Sequence, residues 1–147
     1  MGKNLTLTGM MGVGKSTIGK NLAKRLDYKF VDVDKIIEAK EGLSINSIFK
    51  SKSESYFRKI ENDITLSELK KESTVIALGG GAFLNSTIRK SAKKLSVSFW
   101  LDVPIHELIR RLKKSNQRPL LFKKNITDTV KKIYFDRKKT YNEADFK

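Results

Sequence analysis

Apolar residues fall in short runs and periodic stripes that take turns along the chain. Leu5-Thr6-Leu7-Thr8 reads as a buried strand stopped by Gly9, and Ser16 to Leu26 places Ile18, Leu22, Ala23 and Leu26 at helical spacing. A second strand, Phe30-Val31-Asp32-Val33-Asp34, ends in carboxylates. Beyond it, Ile36, Ile37, Ile45, Ile48 and Phe49 mark two short helical pieces divided by Gly42, with Ser44 as the N-cap of the second. Ser53 to Lys71 carries Phe57, Ile60, Ile64, Leu66 and Leu69 on one long amphipathic helix. Val75-Ile76-Ala77-Leu78 is a third strand, halted by Gly79-Gly80-Gly81. Asn85 to Lys94 is a helix, Val97 to Leu101 a fourth strand, and Pro104 to Leu112 a further helix with proline in its first turn. Lys113 to Lys124 has no period and reads as a loop, after which Ile126 to Tyr141 returns to a helical stripe. Strands that alternate with helices are joined by crossovers, so the fold class is α/β. The expectation is a three-layer sandwich, a mostly parallel sheet covered on both faces, in a single domain spanning 1–147.

Composition narrows the function classes. The chain has 147 residues, 39% of them hydrophobic, which suits one compact core. The absence of cysteine excludes a disulfide framework, a thiolate nucleophile and a cysteine zinc site. No run approaches the roughly 18 apolar residues of a membrane span, and the Gly-rich segment arrives before any signal-like stretch, so the expected address is the cytoplasm with no membrane partner. Met1-Gly2 resembles a myristoylation start, but a strand at Leu5 to Thr8 would hold Gly2 in place. The net charge of +15 invites a nucleic-acid reading. The cations recur along most helices, however, and condense only in doublets such as Lys93-Lys94 and Lys123-Lys124, the pattern of solvated faces. No specific nucleic-acid partner is expected, and the single histidine, His106, has no evident partner and reads as a surface or structural residue.

Candidate chemistry begins at Gly9-Met10-Met11-Gly12-Val13-Gly14-Lys15-Ser16-Thr17, which fits G-x-x-x-x-G-K-[ST] and lies between a strand and a helix, where a P-loop must be. Its glycines let backbone N–H groups wrap phosphate oxygens, the helix N-terminus adds positive potential, Lys15 can bridge the outer phosphates and Ser16 can ligate Mg²⁺. Asp32 and Asp34, two apart on a strand, would share a face, one suited to the metal's water shell and the other to an acceptor hydroxyl. Capping of the helix that begins near Lys35 is the alternative. Arg58 and Glu61 are three apart on the long helix and can pair, which would orient the guanidinium as a carboxylate clamp or make an ordinary surface pair. Gly79, Gly80 and Gly81 after a buried strand imply close approach of a ligand. Arg118, in the irregular loop, could bring a cation to a transferring phosphoryl group, although most loop arginines do not.

Taken in order, the P-loop, Phe30-Val31-Asp32-Val33-Asp34, Phe57-Arg58-Lys59-Ile60-Glu61, Gly79-Gly80-Gly81, Arg118-Pro119-Leu120-Leu121 and Arg137 with Tyr141-Asn142-Glu143-Ala144 resemble shikimate kinase over essentially the whole chain. The resemblance implies a P-loop kinase fold that uses ATP and Mg²⁺ to phosphorylate the 3-hydroxyl of shikimate, a step towards aromatic amino acids. It implies that Gly12, Val13, Gly14, Lys15, Ser16 and Thr17 cradle the phosphates, with Ser16 and an Asp32-held water on the metal. Asp34 would hold the ring hydroxyl and act as base. Arg58, Gly79, Gly80, Gly81 and Arg137 would grip the shikimate carboxylate and ring, Arg118 would be the lid arginine, and Arg111 would stack on adenine. The implied lid is about 113–125, and the implied shikimate-binding helical region is about 34–62. The expected protein is a monomer acting on a small molecule.

Family members continue past the Tyr141 region into a fifth strand and a last helix, and this chain stops at Lys147. The expectation is a sheet of four strands lacking those last two elements, with strand four as an exposed edge and part of the adenine pocket absent. Two other readings compete: a related kinase acting on gluconate or a nucleoside monophosphate, and an inactive truncated relative that binds phosphate or nucleic acid.

Overall fold

The computed structural model describes residues 2–114 and 125–147. Strand β1 (Asn4–Thr8) is central, with β3 (Thr74–Ala77) on one side, β4 (Ser96–Trp100) on the other and β2 (Lys29–Asp32) outside β3. All three pairings are parallel, with Leu5 opposite both Val75 and Val97, so the expected α/β parallel sheet is the one observed. Core residues lie on both sheet faces. Leu7 and Val75 pack with Ala23 of α1 (Lys15–Leu26), while Ile76 and Trp100 join the larger core. That core takes in α2 (Val33–Glu41), α3 (Ile45–Ser51), α4 (Glu54–Leu69), α5 (Ser86–Leu95), α6 (Ile105–Lys114) and α7 (Ile126–Tyr141). Between β1 and β4, Thr6 Oγ1 and Ser96 Oγ lie 3.0 Å apart and pair.

Beyond small shifts at element ends, three features depart from the sequence reading. First, β2 ends at Asp32 rather than Asp34, because the Asp32 carboxylate accepts the Lys35 N–H at 3.3 Å and starts α2 at Val33. Asp34 therefore sits in the first turn of a helix, and the argument that both carboxylates share a strand face fails. Second, α6 runs through Lys114, two residues into the segment read as a loop. Third, β4 is not a bare edge. Phe146 donates to Ser98 O at 3.0 Å and accepts from Trp100 N at 2.8 Å, its ring stacks on Phe99 at 5.5 Å, and the Asp145 carboxylate takes both the N–H and the hydroxyl of Ser98. A short 3₁₀ turn, Ala82–Leu84, follows the glycines and was not foreseen. The implied lid and its Arg118 fall mainly on 115–124, outside the described residues.

Candidate functional site

The C-terminal ends of parallel strands leave a crevice where helices depart on either face. A cavity of about 450 Å³ opens there, floored by Ala77 and Leu78 at the end of β3 and walled by the loop that follows β1. In that loop Gly12 and Gly14 have φ of 85° and 97°, and Gly14 is the N-cap of α1 with no side chain capping it. The first turn of α1 thus presents backbone N–H groups and the positive end of the helix dipole to the cavity. Met11, Gly12, Gly14, Lys15, Ser16 and Thr17 line it. Val13 turns its side chain into the core, leaving only its backbone available. Lys15 Nζ donates to Gly9 O at 2.6 Å and to Met10 O at 3.4 Å, so its ammonium already lies along the loop. The Ser16 hydroxyl donates to the Asp32 carboxylate. Asp32 therefore does two things, capping α2 with one oxygen and meeting Ser16 with the other. A hydroxyl and a carboxylate at the edge of a phosphate cradle make a hard-oxygen pair of the kind Mg²⁺ takes, with phosphate and water completing its shell.

Arg111 lies behind this loop rather than free in the cavity. Its Nη1 donates to Gly12 O at 3.0 Å and its Nε to Glu107 at 3.0 Å. Hydrogen bonds from Arg110 and then Arg111 hold the Glu107 carboxyl at about 2, well below the usual carboxylate range.

Opposite the loop stands a cluster of four charges from three helices: Asp34 on α2, Arg58 and Glu61 on α4, and Arg137 on α7. Arg58 Nη1 meets Glu61 Oε1 at 2.9 Å, with the glutamate side chain 2% exposed, so the i,i+3 pair is not a surface ornament. The glycine turn makes room for the cluster. A Cβ at position 79 would come within 2.7 Å of Asp34 Oδ1 and 2.9 Å of Glu61 Oε2, and one at 81 within 2.7 Å of Arg58 Nη2. Gly79 itself is buried behind the carboxylates, while Gly80 and Gly81 face the cavity. Arg137 Nη1 is buried and has no hydrogen-bond partner among the described residues. A buried guanidinium N–H is costly to leave unpaired, and an anion entering the cavity would satisfy it. The apolar wall is formed by Ile45, Phe49, Phe57 and Ile133. Sequence reasoning treated these only as core periodicity, and nothing in their spacing separates a cavity wall from a core.

Burial is the main cause of a raised Glu61 pKa, opposed by Arg58 and reinforced by Asp34. A carboxyl whose folded pKa lies above its unfolded value favours folding below the unfolded pKa, and that benefit is lost as pH rises through the folded value. The stability advantage of the wild type over Glu61→Gln is therefore expected to shrink between about pH 4 and neutrality. Thermal denaturation of both proteins across that range checks the sign. An advantage that grows with pH would mean that the Arg58 pair outweighs desolvation.

A family model described as shikimate kinase matches residues 11–147. A shikimate kinase from Sulfurihydrogenibium sp. (strain YO3AOP1) is 42% identical over 145 residues, covering 99% of this chain and 86% of that protein. Among solved structures, shikimate kinase from Acinetobacter baumannii in complex with shikimate superposes with a TM-score of 0.94 at 31% identity, covering 99% of this chain and 82% of that one. A gluconokinase from Sinorhizobium meliloti 1021 aligns with a TM-score of 0.53 at 16% identity, a likeness of fold alone.

Proposed function

The chain belongs to the shikimate kinase family, and from that premise we propose how its cavity divides the work of transferring the γ-phosphoryl group of ATP to the 3-hydroxyl of shikimate. ATP lies along the loop from Gly12 to Thr17, its phosphates against the α1 N-terminus and Lys15. Ser16 and Asp32 would hold Mg²⁺, which would supply neutralisation of phosphate charge. Shikimate lies on the α2–α4 side, over Phe49 and Phe57. Its carboxylate meets Arg58 and Arg137, and its reacting hydroxyl faces Asp34.

The orphan Arg137 Nη1, buried beside a second arginine on a side of the cavity that also carries carboxylates and apolar side chains, is the observation that carries this reading. Two guanidinium groups at one end of an apolar slot suit a small carboxylate with a ring body better than a nucleobase or a polyanion. In the reaction the 3-oxygen forms a bond to the γ-phosphorus as the bond from that phosphorus to the β–γ bridging oxygen breaks. The hydroxyl proton passes to Asp34, and ADP leaves. Such transfer depends on positioning and charge neutralisation more than on covalent chemistry. Glu61 orients Arg58 without facing the reacting atoms. Arg111, held to Gly12 O, closes the outer side of the loop near the expected adenine position.

We further take the protein to be a monomer that works in the cytoplasm. Among the described residues no helix is long and apolar enough to cross a membrane.

A coupled ADP-release assay with Mg·ATP tests the whole reading by comparing shikimate, gluconate and no acceptor. Shikimate-dependent release is expected, and equal release with gluconate would break the acceptor assignment. Arg58→Ala removes a charge-assisted contact to the carboxylate, so the KM for shikimate is expected to rise about ten- to a hundredfold with little change in the KM for ATP. Equal increases in both constants would count against the clamp.

A further inference from the structure

The acceptor site is assembled from two parts of the chain that do not touch through their charged groups alone. Asp34, Arg58 and Glu61 pack on the glycine turn from the side of α2 and α4, whereas Arg137 arrives on α7. One polar contact from α7 reaches the middle of that turn: the Tyr141 hydroxyl donates to Gly80 O. Tyr141 is 0% exposed, and its ring lies 5.9 Å from that of Trp100 at the end of β4. Arg137 and Tyr141 are i,i+4 on one helix face, and the Arg137 guanidinium interacts directly with the Tyr141 phenol, so the group that reaches Gly80 also helps to place the guanidinium. Gly80 lies directly under that guanidinium, since a Cβ there would come within 3.4 Å of Arg137 Nη1. The residues after Tyr141 hold the helix end in turn: Ala144 N donates to Tyr141 O at 3.0 Å, and Glu143 pairs with Arg89 of α5 at 3.4 Å.

We propose that Tyr141 is a positioning residue for the acceptor, its hydroxyl latching α7 to Gly80 so that Arg137 and the Asp34–Arg58 half of the site present one shikimate-shaped gap. A phenylalanine would fill the same core space, so packing does not require the hydroxyl. Burial is the largest influence on this phenol and keeps it protonated, hence a donor, across the working pH range. Losing the bond would leave the Gly80 carbonyl unpaired and allow the glycine turn and α7 to drift apart. The nucleotide loop also borders Gly80, where a Cβ would lie 3.7 Å from Met11 N, but the Tyr141 hydroxyl bonds the glycine turn and not the loop.

The proposal rests on the assignment of Arg137 to the shikimate carboxylate, and the experiment tests the two separately. Tyr141→Phe is expected to raise the KM for shikimate about three- to tenfold while leaving the KM for ATP and kcat within about twofold. Arg137→Ala alone should raise the KM for shikimate strongly; no effect there would remove the carboxylate assignment. With that assignment standing, Tyr141→Phe added to Arg137→Ala should change the KM for shikimate by less than about twofold, because positioning an absent group has no value. An undiminished effect in the double variant, or parallel changes in both KM values, overturns the latch. Should Tyr141→Phe fail to fold, incorporation of 4-fluorophenylalanine at 141 fills the para position without a donor and decides the matter. A raised KM for shikimate with an unchanged KM for ATP supports the latch, and a wild-type KM for shikimate overturns it.

Discussion

Replacing Lys15 with methionine is expected to lower kcat by about a hundred- to a thousandfold, the range for deleting one preorganised donor from a transition state. The reason lies in where the ammonium sits. Lys15 Nζ rests on Gly9 O and Met10 O, inside the loop whose N–H groups face the cavity, so its charge is in place before a nucleotide arrives. As the bond to the leaving oxygen breaks, charge develops on the phosphates, and a fixed cation there gains more in the transition state than in the ground state. Methionine has similar length and fills the same space, leaving the Gly9 and Met10 carbonyls to water. The variant should therefore melt within a few degrees of the wild type and bind shikimate unchanged. ADP release and thermal denaturation of the same preparation check both halves. Retained turnover would take Lys15 out of the mechanism.

The second large effect is expected at Asp34. Asp34→Asn keeps the size and hydrogen-bonding reach of the side chain but cannot accept the hydroxyl proton, and general-base contributions run to about a hundredfold or more. The first turn of α2 holds Asp34 against Gly79, with Glu61 on the same glycine, and an amide there also removes the like-charge contact between the two carboxylates. The kcat should fall steeply while the KM for shikimate moves little. The pH–rate profile of the variant should lose its acidic limb, because that limb reports ionisation of the base. A KM effect larger than the kcat effect would make Asp34 a binding group only.

Much of this arrangement is legible in the sequence, for particular reasons. A P-loop is a contiguous motif with obligatory neighbours, so Leu5 to Leu26 yields strand, loop and helix together. Arg58 and Glu61 are tied by helical spacing, and their pairing follows from it. Asp34 is the instructive miss. Alternation within Phe30-Val31-Asp32-Val33-Asp34 looks like continued strand, but the Asp32 carboxylate captures Lys35 N–H and turns the chain into a helix one residue later. Asp34 reaches the cavity all the same, carried by that helix turn. The Tyr141–Gly80 bond and the apolar wall were not legible because they join residues far apart in sequence whose types fit a core equally well. The covering of β4 by Asp145 and Phe146 was missed for a related reason: a few residues carry no period.

The sheet order carries a consequence for synthesis. β1 precedes the other described strands in the chain, yet its neighbours are the third and fourth of them, with Leu5 opposite Val75 and Val97. Until residues 74–77 emerge, both edges of the future central strand lack partners, and until residues 96–100 emerge one still does. No hairpin can shelter it, because every pairing is parallel and waits on a crossover. The nascent chain therefore carries an unpaired strand edge while the intervening crossovers are made. Chaperone supply during translation should therefore influence how much of this protein a cell obtains.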